Sequence, residues 1–256
     1  MSDPEPKRLR LSVVVPVFDE VDSLVPLHRE LDAALAPLSE EIELIFVDDG
    51  SRDGSGSVLR DLERKDARVR VESFPENRGQ SAALDAGFRL ARGEWIATLD
   101  ADLQNDPADL PRLLDHCDRA DLVNGVRVDR RDTPLRIWSS RIANAIRNWA
   151  TGESVTDVGC SLRVMRASTV QRIKLYRGLH RFLPTLLKLE GARCVEVPVS
   201  HRPRRYGRSK YGIRNRLVPA LVDLLAVRWM QRRALPPRPP SPAGRSSDEP
   251  PSPPRA

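Results

Sequence analysis

Gly93-Glu94-Trp95-Ile96-Ala97-Thr98-Leu99-Asp100-Ala101-Asp102-Leu103-Gln104 is the stretch on which the reading of this chain turns. The short apolar run from Trp95 to Leu99 predicts a buried strand, and it stops on two carboxylates one residue apart with a carboxamide two further on. In an open α/β sheet, ligands bind beyond the carboxyl ends of the strands, so charge at a strand end marks a place for a site. Hard oxygen ligands of this kind suit Mg²⁺ or Mn²⁺, which take few protein carboxylates and complete their shell with substrate phosphates. The implied ligand is a nucleotide diphosphate. The competing reading is a polar turn capping a helix that starts near Ala108, because Asp and Asn are common N-caps.

Working outward, apolar runs and helical spacings alternate. Leu11 to Val17 is a continuous β-branched run ending in Phe18-Asp19-Glu20, and Ile42 to Val47 is a second, ending in Asp48-Asp49-Gly50-Ser51. Between them, apolar residues at 24, 27, 31 and 35 keep helical spacing. Helices over about 55–65 and 80–91, strands over 69–74 and 121–127, and a turn at Asn77-Arg78-Gly79 follow the same logic. Further on come a polar helix over about 134–150, a loop at 157–161, a short strand over 162–165, a helical pair (about 168–174 and 179–190) and a strand over 194–199. Strands alternating with helices of this length indicate βαβ units and a mostly parallel sheet with helices on both faces.

With 256 residues and 40% hydrophobic content, the chain can bury one substantial core. Residues 10–216 are assigned to one domain, with residues 1–9 as a flexible N-terminus, 217–233 as an amphipathic basic helix and 234–256 as a disordered Pro-rich tail. No apolar run reaches the 18 or more residues of a membrane span, and the first ten residues are too polar for a signal peptide, so the expected location is cytoplasmic. Cys117, Cys160 and Cys194 are scattered without metal or disulfide spacing. Charge is uneven: residues 201–233 carry +9 and the last 23 carry +1, which leaves −4 on the first 200 out of a total of +6. A local basic patch points to an anionic partner, whether lipid phosphate, membrane surface or nucleic acid. Residues 201–216 are read as a mobile loop. After it, Leu217, Val218, Leu221, Leu224, Leu225 and Trp229 are expected on one helical face, too short to span a bilayer.

Four features coincide in order and spacing: Pro16-Val17-Phe18-Asp19-Glu20, Val47-Asp48-Asp49-Gly50-Ser51, Asn77-Arg78-Gly79 and Asp100-Ala101-Asp102-Leu103-Gln104. With the later Asp157 loop and Gly207-Arg208-Ser209-Lys210-Tyr211, they make residues 9–216 resemble the family 2 glycosyltransferases of GT-A fold, in particular the polyprenyl-phosphate sugar synthases typified by dolichyl-phosphate mannose synthase. The resemblance implies that Pro16, Phe18, Glu20, Asp48 and Asp49 line the nucleotide pocket, Asp49 accepting from a base N–H and Asp48 ordering the turn. Phe18 departs from the commoner tyrosine. Asp100, Ala101, Asp102 and Gln104 are implied at the metal and diphosphate, with Asp100, Asp102 and Gln104 as metal ligands. Arg127, Arg136, Arg204 and Lys210 match positions that contact phosphates, and Arg suits bidentate phosphate binding.

The activity implied is inverting, metal-dependent transfer of a sugar from a nucleotide diphosphate sugar to a polyprenyl phosphate, with Asp102, Arg127, Arg136 and Lys210 as catalytic residues. A lipid phosphate is already ionised, so no strong general base is required. A saccharide acceptor would need one, and Asp157 is the candidate. Many bacterial relatives carry transmembrane helices after the Ser-Lys-Tyr string; the short helix here implies peripheral attachment at the inner face of the membrane, with packing on its own domain or on a partner as the alternative. A membrane-anchoring partner or a second copy of the chain are the expected protein partners. A non-catalytic membrane- or nucleic-acid-binding role leaves both acidic strand ends unexplained, and no nucleic-acid partner is expected.

Overall fold

A computed structural model describes residues 9–38, 41–128, 145–204 and 217–235. Among them, β1 (Leu11–Val17), β2 (Ile42–Asp48), β3 (Val69–Ser73), β4 (Trp95–Thr98), β5 (Leu122–Arg127), β6 (Arg163–Arg166) and β7 (Cys194–Val199) form one sheet in the order β3-β2-β1-β4-β6-β5-β7. The helices are α1 (Val21–Leu35), α2 (Ser55–Lys65), α3 (Gln80–Leu90), α4 (Leu110–Leu114), α5 (145–151), α6 (Ala167–Val170), α7 (Leu183–Leu189) and α8 (Leu217–Arg233).

β1 and β2 are apolar on both faces because both faces are covered. On one side Val13, Val15, Leu44 and Phe46 pack under Leu24, Leu27, Leu31 and Leu35 of α1, with Leu59 of α2 and Leu110 of α4 completing the layer. On the other, Val14, Ile45, Val47 and Ile96 meet Ala83, Leu84 and Phe88 of α3 and Leu183 and Leu187 of α7. Each such fully buried side chain contributes roughly 1.5–3 kcal/mol. Contact between α3 and β1 is close enough to require glycine: a Cβ on Gly87 would lie 2.3 Å from Val14 Cγ1.

The sheet is mostly parallel, as expected, with one exception: β6 enters between β4 and β5 antiparallel to both, while β5–β7 is parallel. The helical pair is shorter than expected, reduced to α6, a 3₁₀ turn at Leu179–Phe182 and α7, with Gly178 at φ +86° capping the start of the 3₁₀ turn. Of the helix expected over 134–150, only residues from 145 onward lie within the described part, and they are helical to 151.

α8 divides its apolar residues between two sides. Leu224 and Val227 are buried against Leu179, Phe182 and Leu186, whereas Leu221, Val222, Leu225 and Trp229 are 57–63% exposed. The single apolar face expected from the sequence is therefore split, with Leu224 turned inward and Leu221, Leu225 and Trp229 outward. Gln231 Nε2 donates to Thr151 O at 2.9 Å, joining the end of α8 to α5. Among the described residues no helix is long and apolar enough to cross a membrane.

Candidate active site

Parallel register brings the ends of β1, β2 and β4 to one edge, with Val17 opposite Asp48 and Val14 opposite Thr98. The loops beyond them are stitched together by side chain to backbone bonds. Asp19 sits at φ +50°, its N–H donating to Ser51 Oγ (2.9 Å) and its Oδ1 accepting from Arg52 N (2.7 Å). Asp53 accepts from Val21 N and from Ser55 N and Oγ, and Ser55 Oγ in turn receives Glu20 N at 3.0 Å. Burial pushes the Asp53 carboxyl up, but these donors outweigh it and hold it below the usual range. Phe18 and Glu20 are thus presented by a loop that the Asp53-Gly54-Ser55 stretch fixes.

Asp48 Oδ1 accepts from Ser51 N at 3.0 Å, ordering the turn as the family resemblance implies. Asp49 has a task that the sequence reading did not assign. Its carboxylate receives Arg78 N (2.7 Å), Gly79 N (2.9 Å) and Asn77 Nδ2 (2.9 Å), so it holds the turn leading into α3. Burial raises this carboxyl above its ordinary value in spite of those amides. The two turns touch closely: Gly50 adopts φ +72°, and a Cβ there would lie 2.5 Å from the Glu76 carbonyl carbon.

Beyond β4, Leu103 takes the left-handed conformation (φ +61°), and Gln104 N donates to Asp102 Oδ1 at 3.1 Å. This folds the acidic stretch back on itself. Gln80 Nε2, at the first turn of α3, donates to Asp100 Oδ1 at 2.8 Å. The Asp100 carboxyl is pushed up to about 6, by burial first and then by the Asp102 charge beside it. Across the same opening Arg204 pairs with Glu20, and its Nη1 lies 3.8 Å from Asp102 Oδ2. One guanidinium therefore spans the end of β1 and the acidic end of β4.

Arg204 belongs to a strap that follows β7 and runs antiparallel to residues 104–109. Ser200 N donates to Asp109 Oδ2 (2.7 Å), Asn105 and His201 form a bridge, and Arg202 N donates to Gln104 O (2.8 Å). Arg202 also pairs with Glu30 at 2.6 Å and with Asp106. Gln104 directs its amide nitrogen to Arg202 O at 3.4 Å, so its described contact is with the strap.

Arg127 and Asp157 form a bidentate pair, Nε to Oδ2 at 2.7 Å and Nη2 to Oδ1 at 2.8 Å. The candidate base Asp157 thus has both oxygens engaged by the candidate phosphate ligand Arg127. Pro16 is the next-to-last residue of β1, and Ala101 is buried between the two acids. Arg136 and Lys210 lie outside the described residues. The residues that sequence reasoning missed are Asp53, Gln80 and the buried Arg163. Only the last had a signal, a charged residue within the short strand expected over 162–165.

The donor chemistry fits a hard divalent cation. Among the described residues no third His, Cys, Asp or Glu joins Asp100 and Asp102 in a cluster. A pair of carboxylates is nonetheless the protein share that Mg²⁺ or Mn²⁺ takes when substrate phosphates complete the shell.

Comparison with known proteins gives consistent matches. The family described as "Glycosyl transferase family 2" matches residues 12–174. The chain is similar to an undecaprenyl-phosphate 4-deoxy-4-formamido-L-arabinose transferase of Edwardsiella ictaluri, 38% identical over 217 residues, covering 84% of this chain and 66% of that protein. It is also similar to a dodecaprenyl-phosphate galacturonate synthase of Rhizobium johnstonii, 40% identical over 230 residues, covering 88% and 68%. This chain therefore spans about two thirds of the length of these relatives. Among solved structures, the mannosyltransferase PcManGT of Pyrobaculum calidifontis, in complex with GDP-Man and Mn²⁺, has the same fold at TM-score 0.64 and 20% identity, covering 86% of this chain and 64% of that one.

Proposed function

This chain belongs to glycosyl transferase family 2, with the GT-A fold, and on that premise we propose that it transfers a sugar from a nucleotide diphosphate sugar to a polyprenyl phosphate. The observation that carries the reading is the convergence at one end of the sheet of Glu20, Asp49, Asp100 and Asp102, with Arg204 between Glu20 and Asp102. The names of the relatives support the acceptor class.

In this reading Phe18 and Glu20 border the nucleoside, and Asp49 sets the wall of its pocket by fixing Asn77-Arg78-Gly79. Asp100 and Asp102 would hold Mg²⁺ or Mn²⁺, which when bound would neutralise charge on the leaving diphosphate. Gln80 orients Asp100. An oxygen of the lipid phosphate attacks the anomeric carbon from the face opposite the leaving group. The bond from that carbon to the diphosphate oxygen breaks, and its electron pair departs with the nucleoside diphosphate, inverting the configuration. Arg127, held in plane by Asp157, and Arg204 offer guanidinium groups to the two anions, with Arg136 and Lys210 proposed to join them.

An ionised phosphate has no proton to lose, which agrees with an Asp157 committed to Arg127. Peripheral attachment is proposed through the outer side of α8, where Leu221, Leu225 and Trp229 would enter the lipid interface with Arg228, Arg232 and Arg233 meeting anionic headgroups. The test is transfer to undecaprenyl phosphate in detergent with Mn²⁺ and a panel of GDP-, UDP- and dTDP-sugars. A lipid-linked sugar is expected, and product on a saccharide hydroxyl alone would reassign the acceptor.

A further inference from the structure

Below the acidic pair lies a buried cation with no role in the reading so far. Arg163 of β6 is in register with Thr98 of β4 and Asn124 of β5, so the three polar side chains share the face of the sheet that α3 covers. Arg163 is 4% exposed. Its Nε donates to Asn124 Oδ1 (2.8 Å), its Nη2 to Val158 O (2.8 Å) and its Nη1 to His180 O (3.4 Å). All three acceptors are neutral oxygens. Asp100 and Asp157 feel this charge through space.

Burying a permanent cation on neutral partners is costly, and arginine cannot shed its proton to escape. What the placement provides is reach. Val158 adjoins Asp157, the partner of Arg127, and the His180 ring meets Ser81 Oγ at 2.7 Å, next to Gln80 on Asp100. A single guanidinium thereby links the Arg127–Asp157 pair to the Asp100 side of the site, and it sets a fixed positive charge under the acidic loop.

We propose that Arg163 is a positioning residue of the transfer reaction, whose fixed buried charge opposes a bare divalent cation at Asp100 and Asp102 and favours the cation together with a diphosphate. This inference rests on the assignment of Asp100 and Asp102 as the cation-binding pair. It makes binding of cation and donor interdependent, because the repulsion from Arg163 is offset only when the diphosphate brings its negative charge. A purely structural Arg163 predicts the opposite sign for bare-cation affinity, since a loosened loop holds an ion less well.

The experiment measures binding of Mn²⁺ alone, and of pyrophosphate at saturating Mn²⁺, to the full chain. The proteins are wild type, Asp102→Asn, Arg163→Met, Arg163→Lys and Asn124→Asp. Arg163→Met should bind Mn²⁺ alone about threefold or more tighter and Mn²⁺–pyrophosphate more weakly. Arg163→Lys, which keeps the charge, should leave Mn²⁺ affinity near wild type. Asn124→Asp keeps the side-chain shape and neutralises Arg163 in place, so it should also tighten Mn²⁺ binding, and it decides the matter if Arg163→Met does not fold. Unchanged or weaker Mn²⁺ binding in folded Arg163→Met or in Asn124→Asp, with Asp102→Asn abolishing it, overturns this inference and leaves the cation site standing. No Mn²⁺ binding by wild type, either alone or with pyrophosphate, overturns both.

Discussion

Glu43 and Asp100 are carboxylates near opposite ends of the same sheet, and their surroundings differ in kind. Glu43, on β2 near its start, is 2% exposed and accepts from Ser12 Oγ (2.7 Å), Arg92 N (2.7 Å), Arg70 Nη1 (2.9 Å) and Arg92 Nη2 (3.2 Å). Burial alone would raise its proton affinity; these donors and the Arg92 charge bring it below the ordinary value. Asp100 has Gln80 on one oxygen, and burial first, then the second carboxylate beside it, pushes it up to about 6 in spite of Ser161. The first end ties the α3–β4 connection to the sheet, with Gly93 N on Ser12 Oγ at 2.9 Å. The second stores negative charge that its own protein neutralises incompletely. Charge that the fold satisfies is structural, and charge that it leaves for a ligand marks the site.

The contrast breaks most visibly in activity. Asp102→Asn should lower transfer at least about a hundredfold while leaving the thermal melt intact. Turnover near wild type at saturating Mn²⁺ would remove the acidic pair from the mechanism. Glu43→Gln should do the reverse, lowering stability by about 3 kcal/mol in denaturant unfolding with turnover per folded molecule unchanged. A fall in turnover matching that of Asp102→Asn would erase the distinction between the two ends.

Acid sharpens the comparison because the two groups have opposite signs. Glu43, lowered in the fold, contributes stability that is present above its unfolded value and lost as pH falls through its folded value. Asp100, raised to about 6, costs stability when ionised, and that cost disappears as pH falls from above 6 toward the unfolded value of 3.8. In chelator-containing buffer, Asp100→Asn should therefore raise Tm by a few degrees at about pH 8, with the gain vanishing near pH 4. A gain that persists in acid would mean that charge is not its source.

A smaller version of the same contrast lies on α8. Leu224→Glu should lower Tm clearly, because that side chain packs on Phe182 and Leu186. Leu221→Glu with Leu225→Glu should change Tm by under about 2 °C and release the protein from anionic vesicles, since both side chains face outward. A large fall in Tm for the double variant would indicate that the outer side is covered.

The sequence made the parallel half of this arrangement readable because continuous apolar runs such as Val13-Val14-Val15 leave little doubt about a strand covered on both faces. The acids at Asp49, Asp100 and Asp102 were visible for the related reason that each follows such a run closely. Pairing direction is not carried by periodicity, so the antiparallel insertion of β6 was hidden, and with it the alignment of Arg163 with Thr98 and Asn124. Gln80 reaches Asp100 20 residues away in sequence, and Asp53 joins its local turn at Ser55 to Val21 32 residues away, which no local pattern encodes. The split of α8 escaped because helical spacing groups Leu221, Leu224 and Leu225 without saying which of them the body of the protein covers.

The most direct test of the account is a mass-spectrometric assay for lipid-linked sugar. Undecaprenyl phosphate, Mn²⁺ and the nucleotide-sugar panel are incubated with wild type, Asp102→Asn and Glu43→Gln at equal folded concentration. The account predicts a product with wild type and Glu43→Gln that is lost with chelator and with Asp102→Asn. Equal product from Asp102→Asn and wild type, or transfer by wild type that chelator does not affect, would contradict it.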